Sequence, residues 1–433
     1  MATVRVAPAT ALSGVIGVPP DKSITHRALM LGGISDRTVT IDRPLDSADT
    51  AATLGTMEAC RVPARGELGG RVELDGVGLR GLRPPPVIDC LNAGTLIRLV
   101  AGILVGQSCD RTVLDGDESL RRRPMNRIAR PLAAMGAEIH TMTGGTPPVI
   151  VSGPRPLRGM VHELPVASGQ VKSCLLLAGL FADGETWVHE PHPSRDHTER
   201  MLAAAGIPLL RDGVAVGLRG PVEGIALPDL TVPGDFSSAA FHIVAAALRA
   251  DPQVRLIGVN LNPTRTGLLA VLDRMGVDVL VQQGGAMAGE PCGDLVISRA
   301  DGLRGTEVAP DEVPGLIDEL PLVGLLGAFA SGVTAVRGAQ ELRVKESDRI
   351  AAVCAALRSL GVRADEREDG FTVHGAGRVI GGEVDSAGDH RLAMLGAIAG
   401  LASVEGVSVA GFESAAVSYP GFAQDIAALG GVR

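Results

Sequence analysis

One pattern recurs along the chain and limits its fold more than any other feature: an apolar helical stretch, then usually Gly, then a short β-like run. The clearest copies are PLAAMGAEIH (131–140), MLAAAGIPLL (201–210), VLDRMGVDVL (271–280) and ALRSLGVRAD (356–365). Their junction glycines are Gly136, Gly206, Gly276 and Gly361. A weaker copy, MEACRVPAR, ends its helix near Cys60, and DIAALGGVR closes the chain with Gly430. Each Gly reads as a helix C-cap in the left-handed region that releases the chain into a strand. The intervals are about 70 to 85 residues, so six units of about 72 fill the 433 residues. That period exceeds those of the common solenoids and leaves room for two strands and two helices per unit. Repeated β/α units in two globular halves of three are therefore expected, rather than a linear array. PGDFSSAAF at 233–241 marks a candidate junction, with Pro and Gly before a new amphipathic helix.

Composition narrows the class of function. With 45% hydrophobic and 21% charged residues, the balance is that of a soluble globular protein. The net charge of −9 argues against a generally basic nucleic-acid-binding surface. No apolar run reaches the roughly 18–20 residues of a membrane span, and MATVRVAPATALSG lacks the features of a signal peptide. A cytoplasmic protein is expected, with no membrane partner. The six cysteines form no C-x-x-C pair and have no His at zinc-ligand spacing, so they read as small buried hydrophobes and no metal site is expected.

The basic residues carry a sharper signal. Of 40 Lys plus Arg, only Lys22, Lys172 and Lys345 are lysine. Lysine offers a compact point charge and can lose its proton, whereas Arg does neither. Lys22 lies in PPDKSITHRALML, where Asp21 or Ser23 can cap a helix, and Ser23 and Arg27 share a face four residues apart. CLNAGTLIRLVAGIL places Asn92, Gly94 and Thr95 in a turn of backbone N–H groups suited to a phosphate or carboxylate. RRRPM ends on Arg123, in a local positive patch able to hold such anions bidentately. VASGQVKSCLLLAGL opens a helix at Ser168 and Gln170 and contains Lys172, and PSRDHTERML sets Arg195 and Asp196 before another.

Downstream, LIDELPLVGLLGAFASG puts Asp318 and Glu319 at the mouth of an apolar helix, where carboxylates are candidates for proton transfer. ELRVKESDRIAAV crowds Lys345, Glu346, Asp348 and Arg349, with Lys345 and Arg349 spaced to face one ligand. DHRLAMLGAIAG opens a last apolar helix with His390 and Arg391. Each motif alone is no more than a capped helix. Together, many helix N-termini with Lys and Arg make a site for a polyanionic small molecule. No G-x-x-x-x-G-K-[ST] loop is present, which disfavours a P-loop nucleotide enzyme.

PPDKSITHR, LNAGTLIR, RRRPM, ASGQVKS, LIDELP, LRVKESDR and DHRLAM occur in that order from residue 19 to residue 394. The ordered set resembles the 5-enolpyruvylshikimate-3-phosphate synthase family, the 3-phosphoshikimate 1-carboxyvinyltransferases. The resemblance implies an α/β fold of two domains, an inside-out α/β barrel with six βαβαββ units, three per domain, and helices inside. It implies one domain from 1–20 plus 235–433 and another from 21–234, with the active site in the cleft between them. The implied reaction moves the carboxyvinyl group of phosphoenolpyruvate to the 5-hydroxyl of shikimate 3-phosphate and releases phosphate, through a tetrahedral adduct and without a cofactor.

The resemblance also assigns roles. Lys22, Ser23, Arg27, Ser168, Gln170, Arg195, Asp318 and Lys345 would hold shikimate 3-phosphate. Lys22, Asn92, Gly94, Thr95, Arg123, Gln170, Arg349, His390 and Arg391 would hold phosphoenolpyruvate. Lys22, Asp318, Lys345 and Glu346 would be catalytic, with Asp318 as base on the 5-hydroxyl and Glu346 with Lys345 handling protons near the methylene. Glyphosate is the expected inhibitor and a monomer the expected state.

Two positions depart from the family pattern. Gly169 stands where Ser or Ala is frequent, a change expected to matter little, and Val417, Ser418 and Tyr419 precede Pro420 where some relatives carry a Lys. Lys172 receives no role. Alternatives are the sister UDP-N-acetylglucosamine 1-carboxyvinyltransferase, whose mobile loop carries a reactive Cys that 115–124 lacks, and a non-catalytic ligand-binding relative. RNA-end processing is disfavoured by the acidic balance and the 2% aromatic content.

Overall fold

The repeat has a direct structural counterpart. The computed structural model describes residues 2–430, so the last three residues of the DIAALGGVR copy lie outside the described residues. The described residues form six small sheets, five of four strands and one of three. The second repeat shows the pattern: Val87–Asp89 pairs parallel with Cys109–Asp115, which pairs antiparallel with Val149–Gly153, which pairs antiparallel with Glu138–His140. In chain order, with its helices, this is βαβαββ. The parallel first pair needs a helical crossover, while the last two strands close as a hairpin.

Each repeat contributes one helix buried along nearly its whole length: α1 (Lys22–Gly33), α3 (Gly94–Leu104), α5 (Gly169–Gly179), α7 (Phe236–Arg249), α9 (Leu320–Phe329) and α11 (His390–Ala402). The other helix of each repeat buries only part of its surface: α2 (Ala48–Ala59), α4 (Asn126–Ala134), α6 (His197–Ala204), α8 (Gly267–Met275), α10 (Arg349–Ser359) and α12 (Phe422–Ala428). A helix apolar all round must be enclosed, and GTLIRLVAGIL or LPLVGLLGAF leaves no polar face for water.

The repeated glycines end the second helices as expected. Gly136, Gly206, Gly276, Gly361 and Gly430 all have φ between 80° and 104°. After α8, the Gly276 N–H donates to the Asp273 carbonyl and the Val277 N–H to the Leu272 carbonyl, each at 2.9 Å, a Schellman closure. The weak copy closes identically after α2: the Arg61 N–H reaches the Glu58 carbonyl at 2.9 Å and the Val62 N–H reaches the Met57 carbonyl at 3.0 Å. Arg61 itself adopts φ 69°, so an ordinary residue occupies the left-handed position that glycine fills elsewhere.

The chain divides into two compact units. Unit 1 comprises Met1–Pro19, Gly234–Ala286 and Pro291–Arg433, and unit 2 comprises Pro20–Pro233 with Met287–Glu290. The four residues 287–290, at the turn between two strands of unit 1, are a detail that no sequence pattern announced. Unit 1 borrows strands from the start of the chain: Thr3–Val6 pairs with Val407–Ala410, and Leu12–Gly17 with Ala250–Asn260. Unit 2 completes its first sheet with Leu230–Thr231 against Thr38–Asp42.

Each unit has its own core around its three enclosed helices. In unit 2, α3 and α5 approach so closely that a Cβ on Gly102 would lie 2.3 Å from the Cys174 carbonyl oxygen. Each core also encloses a histidine whose pKa burial pushes down to about 3: His26, beside Thr53, in unit 2 and His242, beside Tyr419, in unit 1. The six cysteines are free, and burial pushes the Cys60 and Cys174 thiols up to about 12. Among the described residues, no helix is long and apolar enough to cross a membrane.

Candidate active site

In unit 2, the polar residues singled out by sequence gather at the N-terminal ends of α1, α3 and α5. Asp21 caps α1, its carboxylate accepting from the Ile24 N–H at 3.0 Å. Lys22 follows as the first helical residue, its Nζ 3.1 Å from Asp49 Oδ2. Arg27 is one helical turn further in and only 4% exposed. Its Nη1 donates to the Ser23 carbonyl, its Nε to Thr198 Oγ1 and its Nη2 to Ser173 Oγ, at 2.9, 2.7 and 2.9 Å. Burial among these neutral partners pulls its guanidinium down to about 10.

At α3 the helix opens on Ala93 with no side-chain cap, so its first N–H groups receive none from the residue before them. Asn92 bridges this turn to the arginine-rich loop, donating to Asp117 Oδ2 at 2.7 Å and accepting from Arg123 Nη2 at 2.5 Å. Of the three consecutive arginines, Arg121 and Arg122 pair with Asp115 and Glu118, and Arg123 alone turns to Asn92. A methyl on Gly94 would sit 2.8 Å from Arg123 Nη1 and 3.0 Å from Arg98 Nη1. Gln170 joins α3 to α5, its Nε2 donating to Thr95 Oγ1 at 3.0 Å while its Oε1 accepts from Arg98 Nη1 at 2.6 Å.

At α5 the Ser168 hydroxyl accepts from the Val171 N–H, and the Ser168 N–H donates to Glu190 Oε1 at 2.8 Å. Gly169, where the family pattern often has Ser or Ala, has Arg195 as its close neighbour. A Cβ there would stand 3.1 Å from the Arg195 carbonyl oxygen and 3.2 Å from the Arg195 Cβ. The missing methyl lets the segment bearing Arg195 lie close against the start of α5.

In unit 1, the residues gather around one carboxylate. Asp318, just before α9, has Lys345 Nζ at 3.4 Å, Arg349 Nη1 at 3.1 Å and Arg391 Nη2 at 3.7 Å. Lys345 and Arg349 meet at the same oxygen, Asp318 Oδ1, as their four-residue spacing allows. Arg349 is 1% exposed and also holds Glu346 Oε2 at 2.7 Å and Asp389 Oδ2 at 2.8 Å. Burial would lower its pKa, but Asp389, Glu346 and Asp318 outweigh that and raise it. Burial likewise pushes the Asp389 carboxyl up, and Arg349 with His390 reverses this, holding it below the ordinary carboxylate value. Arg391 donates to the Asp318 carbonyl at 3.0 Å, and the His390 ring lies 3.9 Å from Asp389.

Four participants escaped sequence reasoning: Arg98, Asp389, Glu190 and Asp49. Arg98 and Asp389 were inside motifs already singled out, LNAGTLIR and DHRLAM, and Arg98 stands four residues after Gly94. Tyr419, which stands near the position where some relatives have a Lys, is buried with its hydroxyl 2.7 Å from His242 Nε2.

Comparison with known proteins follows the same lines. The sequence model described as EPSP synthase (3-phosphoshikimate 1-carboxyvinyltransferase) matches residues 6–426. The chain is 48% identical over 414 residues to the 3-phosphoshikimate 1-carboxyvinyltransferase of Xanthomonas oryzae pv. oryzae, covering 95% of this chain and 93% of that one. Against the protein of that name from Halorhodospira halophila it is 47% identical over 427 residues, with 98% and 96% covered. Among solved structures it is similar to EPSP synthase from Acinetobacter baumannii, with a TM-score of 0.87, 40% identity and 99% and 98% of the two chains covered. The enolpyruvyl transferase NikO from Streptomyces tendae shares the fold at a TM-score of 0.77 and 19% identity, with 98% and 97% covered.

Proposed function

The chain belongs to the EPSP synthase (3-phosphoshikimate 1-carboxyvinyltransferase) family, and on that premise we propose how its residues divide the reaction. The enzyme transfers the carboxyvinyl group of phosphoenolpyruvate to the 5-hydroxyl of shikimate 3-phosphate and releases phosphate, a step of the shikimate pathway toward aromatic amino acids. Unit 2 supplies the anion receptors. Lys22, Ser23, Arg27, Ser168, Gln170 and Arg195 take shikimate 3-phosphate, and Asn92, Gly94, Thr95, Arg123 and Gln170 take phosphoenolpyruvate, with Lys22 shared. Unit 1 supplies the proton-handling groups and further contacts from Arg349, His390 and Arg391. We place the enzyme in the cytoplasm as a monomer, inhibited by glyphosate in the phosphoenolpyruvate pocket.

The observation that carries this reading is Asp318 among Lys345, Arg349 and Arg391. Lys345, Arg349 and Arg391 hold the carboxylate in one orientation, which supports its assignment as the base on the 5-hydroxyl. As that hydroxyl attacks C2 of phosphoenolpyruvate, a proton must reach the methylene carbon. Glu346 and Lys345 stand next to each other in sequence beside the same cluster, and Arg349 holds the Glu346 carboxylate in place. The reverse proton movement then expels phosphate from the tetrahedral adduct. Groups this close titrate as a set.

Phosphate release from phosphoenolpyruvate, measured with shikimate 3-phosphate or UDP-N-acetylglucosamine as acceptor, tests the reaction. Release with shikimate 3-phosphate alone is the expected result, and release with the sugar nucleotide alone would overturn it. Asp318→Asn and Glu346→Gln should each lower kcat by about 100-fold or more while leaving the fold and shikimate 3-phosphate binding largely intact. Near-normal turnover in both would remove the proton assignments.

A further inference from the structure

Lys172 is one of three lysines in a chain with 40 basic residues, and the reaction described above gives it no task. It lies in the first turn of α5 and is 4% exposed. Its ammonium has three hydrogens and meets three acceptors: Glu190 Oε2 at 2.8 Å, Glu199 Oε1 at 2.9 Å and the Ser194 carbonyl at 3.2 Å. A compact tetrahedral donor satisfies three convergent acceptors, whereas the flat fork of Arg would not. Burial would pull its pKa down, but Glu199 and Glu190 outweigh this and raise it, so it stays charged.

What this ammonium holds lies directly behind the shikimate 3-phosphate residues. Glu190 accepts from the Ser168 N–H at 2.8 Å and from the Ser194 hydroxyl at 2.6 Å. Ser194 immediately precedes Arg195, whose carbonyl oxygen would lie 3.1 Å from a methyl on Gly169. Glu199 is also among the charges that support the Arg27 guanidinium against burial. One buried charge therefore ties together the loop from 190 to 196, the start of α5 and the surroundings of Arg27.

We propose that Lys172 is a positioning residue for shikimate 3-phosphate: through Glu190, Ser194 and Glu199 it fixes Ser168 and Arg195 in the geometry that receives that substrate. The inference rests on the assignment of Ser168 and Arg195 to shikimate 3-phosphate. Lys172 itself touches no substrate. Removing it leaves two buried carboxylates facing each other without a cation, and the loop relaxes away from α5.

The test is Lys172→Met, read by steady-state kinetics for both substrates and by calorimetric titration with shikimate 3-phosphate. The expected result is a rise of about tenfold or more in KM and Kd for shikimate 3-phosphate, with kcat and the phosphoenolpyruvate KM within about threefold of the parent. Adding Glu199→Gln removes the uncompensated carboxylate and should recover most of the loss, which a merely structural lysine would not predict. Should Lys172→Met fail to fold, Glu190→Gln keeps the size and weakens the grip; it should raise the shikimate 3-phosphate KM about threefold with the melting temperature unchanged. An unchanged shikimate 3-phosphate KM in a folded variant, or an equal rise in both KM values, overturns the proposal. Absence of turnover by the parent enzyme with the two substrates would instead overturn the functional reading beneath it.

Discussion

Arg27, inside α1 of unit 2, and Arg349, at the start of α10 in unit 1, are both enclosed guanidinium groups, yet their surroundings are opposite. Arg27 donates to two hydroxyls and a carbonyl, and burial lowers its pKa to about 10. Arg349 sits among Asp318, Glu346 and Asp389, which raise its pKa despite the burial. The same residue thus performs two jobs in two copies of one repeated architecture. In unit 2 the close partners are neutral, so the cation is left to attract an anionic ligand. In unit 1 the anions are built in, and the cation holds Asp318, Glu346 and Asp389 in place. The fold repeats, but the electrostatics do not.

That contrast is breakable. Arg349→Met should cost about 3–5 kcal/mol of stability, because it strands three carboxylates. Arg27→Met should cost only about 1–2 kcal/mol but weaken shikimate 3-phosphate binding strongly. Chemical unfolding of the two variants beside titration with the substrate would decide, and equal destabilisation would dissolve the distinction.

Acid should affect both units alike. His26 and His242, one in each core, have folded pKa values near 3 against about 6.5 when unfolded. Between those values the unfolded chain binds protons that the folded chain refuses, so stability is complete above about pH 6.5 and falls below it. Each histidine contributes a loss of about 2 kcal/mol by pH 5. Denaturant midpoints at pH 7 and pH 5 measure the sum; a flat profile there would mean that neither ring is held neutral.

A smaller effect sharpens the anion-receiving side. Gly94→Ala should push Arg123 and Arg98 back by a few tenths of an ångström and raise the KM for phosphoenolpyruvate by about three- to tenfold, with the shikimate 3-phosphate KM little changed. Inhibition by glyphosate should weaken in parallel. If both substrates suffered equally, the pocket assignment would lose its support. The smallest effect lies outside the site: Arg61→Gly should stabilise the protein by about 0.5–1 kcal/mol, visible as a modest rise in melting temperature.

The repeat was legible because its signal is local. An apolar helix ending in a left-handed Gly is written within ten residues, and five glycines bear it out at the backbone level. Even the sixth copy, where Arg61 replaces Gly, was findable from the helix that precedes it. The grouping of charged side chains was legible where a motif sits on one helix end, as with Lys22 or Asp318. It was opaque where a role depends on distant partners. Asp389 gains its meaning from Arg349, and Lys172 from Glu190 and Glu199, contacts set by tertiary packing that no spacing within a motif encodes. The neighbour of Gly169 was equally hidden, since the atoms nearest a methyl there belong to Arg195.

The borrowed strands of unit 1 impose an order on the protein's birth. Thr3–Val6 and Leu12–Gly17 leave the ribosome well before their partners, Val407–Ala410 and Ala250–Asn260. At about 5–20 residues per second, the first strand waits roughly 20 to 80 seconds for its neighbour. Unit 2 can instead close its first sheet once Leu230–Thr231 emerges. Unit 2 therefore has the partners for its first sheet in hand while Thr3–Val6 still waits for a strand near the far end of the chain.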